Sequence, residues 1–120
     1  MPEEVGKLKL TRNWLVQSTG GTFEAIPYRD VVWAYKMIQT GKYNTKTYYA
    51  HIGDKHGKML VILAKEEQVN QMLQAVMSHA PWAFAGYSED LKKAWDKDRQ
   101  QLVTAVEQRK AQFDSQTSGM

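Results

Sequence analysis

"MLVILAKEEQVNQMLQAVMSHA", residues Met59 to Ala80, changes rhythm in its middle. Up to Ala64 the residues are apolar and rich in β-branched types, a short run with the length and composition of a buried strand. After Lys65 the apolar positions are Val69, Met72, Leu73, Val76 and Ala80, at the three-and-four spacing of one helix face. Glu66 and Glu67 fall in the first turn, where carboxylates meet the positive end of the helix dipole. Pro81 ends the helix, because the residue before a proline is pushed out of helical geometry.

Upstream of this switch every signal is a strand signal. "KLKLTRNWLVQST" (Lys7 to Thr19) runs to a turn at Gly20-Gly21, and "TFEAIPYRDVVWAYKMIQT" (Thr22 to Thr40) resumes the pattern. Phe23, Ala25, Val31, Trp33 and Tyr35 alternate as in half-buried strands, while Pro27, which cannot donate to a ladder, marks an edge, bulge or bend. Gly41 to Thr45 is a further turn, and "GDKHG" (Gly53 to Gly57) reads as the loop of a hairpin between "KTYYAHI" and "KMLVILA".

Downstream the signals are helical. Ser88 is a good N-cap, followed by Glu89 and Asp90, for a helix running from Ser88 to Gln112. Leu91, Trp95, Leu102, Val106 and Phe113 form its narrow apolar stripe, spaced close to a coiled-coil seam. Between the helices lies "PWAFAGYSEDLKKAW" (Pro81 to Trp95). Trp82, Phe84 and Tyr87 read as apolar anchors of a structural corner with Gly86 supplying backbone freedom, or alternatively as a ligand-gripping loop.

Strands first and helices after specify an α+β fold. We expect a single domain over residues 1–114, an antiparallel sheet of four to five strands with a capping helix and a longer C-terminal helix, and a disordered tail over 115–120. The 120 residues carry a formal net charge of +3, with +4 in residues 1–60 and −1 in residues 61–120. That excess is mild beside the dense basic tract of a dedicated nucleic-acid binder. Cysteine is absent, which excludes disulfides and thiolate metal sites and fits a reducing compartment. The acidic N-terminus and the shortness of every apolar run lead us to expect a soluble, cytoplasmic chain, or the soluble part of a membrane-anchored parent.

Catalytic patterns do not emerge. His51, His56 and His79 fall in a strand, a hairpin tip and a helix end, and Asp54 with His56 makes a polar turn more readily than a metal site. "STGGT" (Ser18 to Thr22) lacks the Gly-Lys-Ser/Thr ending of a phosphate loop. The carboxylates of the last helix interleave with lysines as surface ion pairs. No enzyme, cofactor, metal or small-molecule substrate is therefore expected. The stripe is expected to pack on the chain's own sheet or on another copy's helix, and the expected partner is a protein or that second copy, met through Trp95, Leu102 and Val106. The alternative is an anionic partner, nucleic acid or a lipid surface at the membrane, met through Arg12, Arg29, Lys36, Lys42 and Lys46.

"LTRNWLV…FEAIPYRDVVWAY" (Leu10 to Tyr35) resembles the opening strands of bacterial pleckstrin-homology-like (PH-like) domains, with Ile26, Pro27, Tyr28 and Val31 in the second motif. "APWAFAGYSEDLKKAW" (Ala80 to Trp95) is similar to a Pro-Trp…Gly-Tyr-Ser corner in uncharacterised bacterial proteins. The resemblance implies a strongly bent PH-like sheet capped by the Glu66–Ala80 helix, in an interaction or scaffolding module without catalytic activity. It does not imply phosphoinositide binding, since "QSTGGT" (Gln17 to Thr22) is uncharged.

Overall fold

The structure, a computed structural model, describes residues 3–6, 8–19 and 21–118. Its strands form two sheets of four. The first contains β1 (Glu3–Val5), β2 (Leu8–Leu10), β3 (Trp14–Thr19) and β4 (Thr22–Pro27), antiparallel and in sequence order. The second has the order β7 (Met59–Ala64), β6 (Lys46–Asp54), β5 (Val31–Thr40), β8 (Phe84–Ala85). Here β5, β6 and β7 pair antiparallel, and β8 joins the edge of β5 in parallel. The helices are α1 (Glu66–His79), α2 (Glu89–Lys97) and α3 (Arg99–Ser118). The α+β class and the change of period near residue 65 are as expected from the sequence.

One apolar core joins the two sheets. Leu8, Leu10, Leu15 and Ile26 line the buried face of the first sheet. Ala34, Ala50, Ile52, Leu60 and Ile62 line that of the second. α1 closes the space between them with Val69, Met72 and Val76, touching strands of both sheets. Lys36 fastens the helix from outside, its Nζ lying 3.1 Å from Glu66 and 3.2 Å from Asn70.

The second sheet is also covered on its other face, but only at one end. There α2 lays Trp95 across Trp33 and Gly53, ring centroids 6.0 Å apart in the tryptophan pair. A Cβ on Gly53 would sit 2.6 Å from the Trp95 ring, so any larger residue there must push the ring aside. Covered on both faces, Val31 to Tyr35 are all buried rather than alternating. The reverse holds for "MLVILA": expected as a buried strand, it buries Leu60 and Ile62 but leaves Val61 and Leu63 about half exposed, at 47% and 53%.

The expected single helix from Ser88 to Gln112 is two. Ser88 caps α2 as anticipated, its Oγ accepting from Leu91 N at 3.1 Å. Asp98, at φ −149 and ψ 65, then redirects the chain into α3. α3 continues through Ser118, so residues 115–118 of the expected disordered tail are helical; residues 119 and 120 lie outside the described residues.

Candidate functional site: a donor-lined cleft and a projecting hairpin

The apolar stripe expected to meet a partner is used within the chain. Trp95, Leu102 and Val106 all belong to the buried core, α2 and α3 having turned them onto the chain's own sheet and corner. The reason is the bend at Asp98. It points α3 back across the domain, where Arg99 lies over Trp95 (4.9 Å to the ring centroid), Arg109 over Phe84 (5.1 Å) and Lys110 over Trp82 (5.6 Å).

The aromatic corner is built into the sheet. Phe84 and Ala85 pair with Trp33 and Ala34, Gly86 N donates to Ala34 O (2.9 Å), and Trp33 Nε1 donates to Gly86 O (2.8 Å). Gly86 adopts φ +89, the left-handed geometry for which glycine is suited. Tyr87 then leans toward Trp33 and Tyr35, with centroids 6.2 and 5.5 Å away. Beneath it Tyr35 shares a 2.9 Å hydrogen bond with His51 Nδ1. Burial holds the His51 imidazole below its ordinary range, while burial and the nearby Tyr87 and Asp96 push the Tyr35 phenol up.

The five basic residues do not form one surface. Lys36 is committed to Glu66. Lys42 and Lys46 stand at the tip of the β5–β6 hairpin, where every residue from Ile38 to Lys46 is exposed. Tyr43, between them, is 97% exposed, and both it and Asn44 have left-handed backbones (φ 60 and 62). A 2.7 Å bond from Gly41 N to Thr45 O and a 2.8 Å bond from Thr45 Oγ1 to Lys42 O hold this turn. Between Asp30 and Asp54 the chain has no acidic residue.

Arg12 and Arg29 meet at the other end of β5, roughly 30 Å from that tip by strand length. They line a cleft of about 420 Å³ with Asn13, Trp14, Pro27, Tyr28, His79 and Trp82. Tyr28 organises it: its OH donates to Thr11 O (2.7 Å), its N–H donates to Asn13 O (3.2 Å), and its ring stacks on His79 at 4.4 Å and 8°. Behind the cleft Lys110 Nζ donates to Arg29 O and contacts Glu107 at 3.0 Å. Arg29 lies 5.6 Å over the Trp82 ring and reaches Asp114 at 3.3 Å.

This convergence of Arg12 and Arg29 was not read from the sequence, although a signal existed. A hairpin turning at Gly20-Gly21 pairs Trp14 with Pro27, as observed, and the same symmetry sets Arg12 opposite Arg29. His79 and Trp82 carried no such signal, because α1 brings them in from the far half of the chain.

The model of DUF6709, a domain of unknown function, matches residues 1–95. The chain belongs to this family. The DUF6709 match spans both sheets, α1 and most of α2, and thereby all of the cleft lining and the hairpin tip; α3 lies beyond it. Comparison with curated proteins and with solved structures returns no match. No helix among the described residues is long and apolar enough to cross a membrane. At the Gly53–Gly57 loop, Asp54 Oδ1 accepts from His56 N and Lys58 N (2.9 Å each), the bonding of a polar turn.

Proposed function

We propose that this chain is a non-catalytic interaction module of PH-like build that reaches an acidic protein partner through the tip of its β5–β6 hairpin. The observation that carries the reading is Tyr43, a fully exposed ring on a left-handed backbone. That backbone costs a non-glycine residue about 1–2 kcal/mol, which glycine would avoid. A tyrosine kept there with its ring in solvent supports a use outside the fold. Tyrosines are among the side chains that concentrate interface energy, and flanking lysines without a nearby acid favour an acidic counterpart. Two lysines offer too few phosphate contacts to hold nucleic acid firmly at physiological salt, which favours protein.

Two four-stranded sheets closed by the helix after β7 are compatible with a PH-like arrangement, and fold alone implies no chemistry. The cysteine-free sequence supports a reducing compartment, in this reading the cytoplasm of a bacterium. The experiment uses the full chain and its Lys42→Glu/Tyr43→Ser/Lys46→Glu variant as baits in extracts of the source cell. The expected result is an acidic protein recovered with the wild type and lost with an equally folded variant. Identical recovery with both baits overturns the proposal. Single-stranded oligonucleotide binding that the same substitutions abolish transfers it to nucleic acid.

A further inference from the structure

We propose that the cleft between Arg12 and Arg29 is a binding site for a phosphate monoester whose organic part is flat and apolar. The site is independent of the hairpin tip and uses none of its residues. Its polar lining is donor-rich: the Arg12 guanidinium, the Arg29 guanidinium, which also lies 3.3 Å from Asp114, and the Asn13 amide, with no carboxylate among the lining residues. Arg12 has no ion pair among the described residues. An acceptor-rich ligand answers this donor-rich lining. A phosphate monoester carries about −1.5 to −2 charges on three terminal oxygens, and planar guanidiniums engage such oxygens in pairs.

Two further observations narrow the class. Trp14, 47% exposed, and Pro27 stand side by side across the β3–β4 ladder and give the cleft an apolar wall that a bare phosphate ion would not use. The walls are also set in advance. Thr11 N donates to Trp14 O (2.8 Å), Trp14 N donates to Thr11 Oγ1 (3.1 Å), and the Tyr28 bonds tie this loop to the chain after β4. A site organised before the ligand arrives loses less on binding. The carboxyl end of α1, near His79, brings the weakly negative end of its dipole, which the full positive charge of Arg12 outweighs.

The test is titration of the full chain with phenyl phosphate, inorganic phosphate and phenol, followed by tryptophan emission and amide chemical shifts. Phenyl phosphate is expected to bind, to perturb the amides of residues 11–14 and 27–29, and to exceed inorganic phosphate about threefold or more in affinity. Phenol is expected to leave the spectra unchanged. Arg12→Gln, at an exposed position, should weaken phenyl phosphate about tenfold. Trp14→Ala should erase the preference over inorganic phosphate while leaving the latter's binding intact. Lys42→Gln, at the hairpin tip, should change nothing. Equal affinity for the two phosphates, no binding by either, or an Arg12→Gln variant that binds like wild type overturns the inference.

Discussion

The two ends of β5 belong to one strand with one period, yet they live in different environments. Val31 to Tyr35 are buried without interruption, whereas Ile38, Gln39 and Thr40 are exposed. What separates them is cover. At the first end α1 lies under the sheet, while Trp95, Tyr87 and β8 lie over and beside it; the second end runs out beyond every helix. Burial along a strand is therefore set by what is laid across it, and the bare end is left available for contacts outside the fold.

Four substitutions test this contrast. Trp33→Ala should have the largest effect, about 3–5 kcal/mol, because it empties the center of the covered end and removes the bond to Gly86 O. Urea unfolding measures it, and a loss as small as that of a surface substitution would refute the account of the covered end. Gly53→Ala comes next, at about 1–3 kcal/mol, since the new methyl group must displace the Trp95 ring. A change in near-ultraviolet circular dichroism should accompany it, reporting the moved indole.

At the bare end the sign reverses. Tyr43→Gly relieves the left-handed backbone but adds unfolded-state freedom, and the balance is a gain of about 0.5–1 kcal/mol. A higher melting temperature checks it; destabilisation would mean that the Tyr43 ring has a structural role. Ile38→Ser should be the smallest change, within about 0.5 kcal/mol of wild type, as expected for a surface position.

The covered side also predicts a pH dependence. His51 titrates below its ordinary value of 6.5 in the folded chain, so the unfolded chain takes up the proton first as pH falls. The contribution to stability is whole above about pH 6.5 and is lost as pH drops through the lower folded value. In His51→Asn that segment of the stability–pH curve should flatten, and an unchanged slope would assign the dependence to other groups.

The sequence carried much of the fold's local punctuation. Gly21 and Gly57 at hairpin turns, Pro81 ending α1 and Ser88 capping α2 act between near neighbours, and each is where expected. The alternation expected from Phe23 to Tyr35 is not: Phe23 and Ala25 are exposed, and Val31 to Tyr35 are buried without a break. The break at Asp98 was hidden, because no glycine or proline marks it and the apolar stripe runs through it unchanged. Its cause is tertiary. Trp95 must lie on the sheet over Gly53 while Lys110 reaches Trp82 and Arg29, and one straight helix does not do both. The same bend turned Leu102 and Val106 inward.

The candidate site was legible in part. Arg12, Arg29 and Trp82 each stood out as residue types, and the hairpin register would have set the two arginines opposite each other. That His79 and Trp82 complete the same cleft depends on α1 crossing from the second sheet back to the first.

By itself, then, the sequence determined the ends of most elements and the α+β class, because those follow from contacts a few residues apart. Tertiary structure alone decided which strand faces are doubly covered, where the last helix bends and which charges share a cleft. Those outcomes depend on contacts between residues remote in sequence, such as Trp33 with Trp95 and Arg29 with Lys110, which local spacing does not encode.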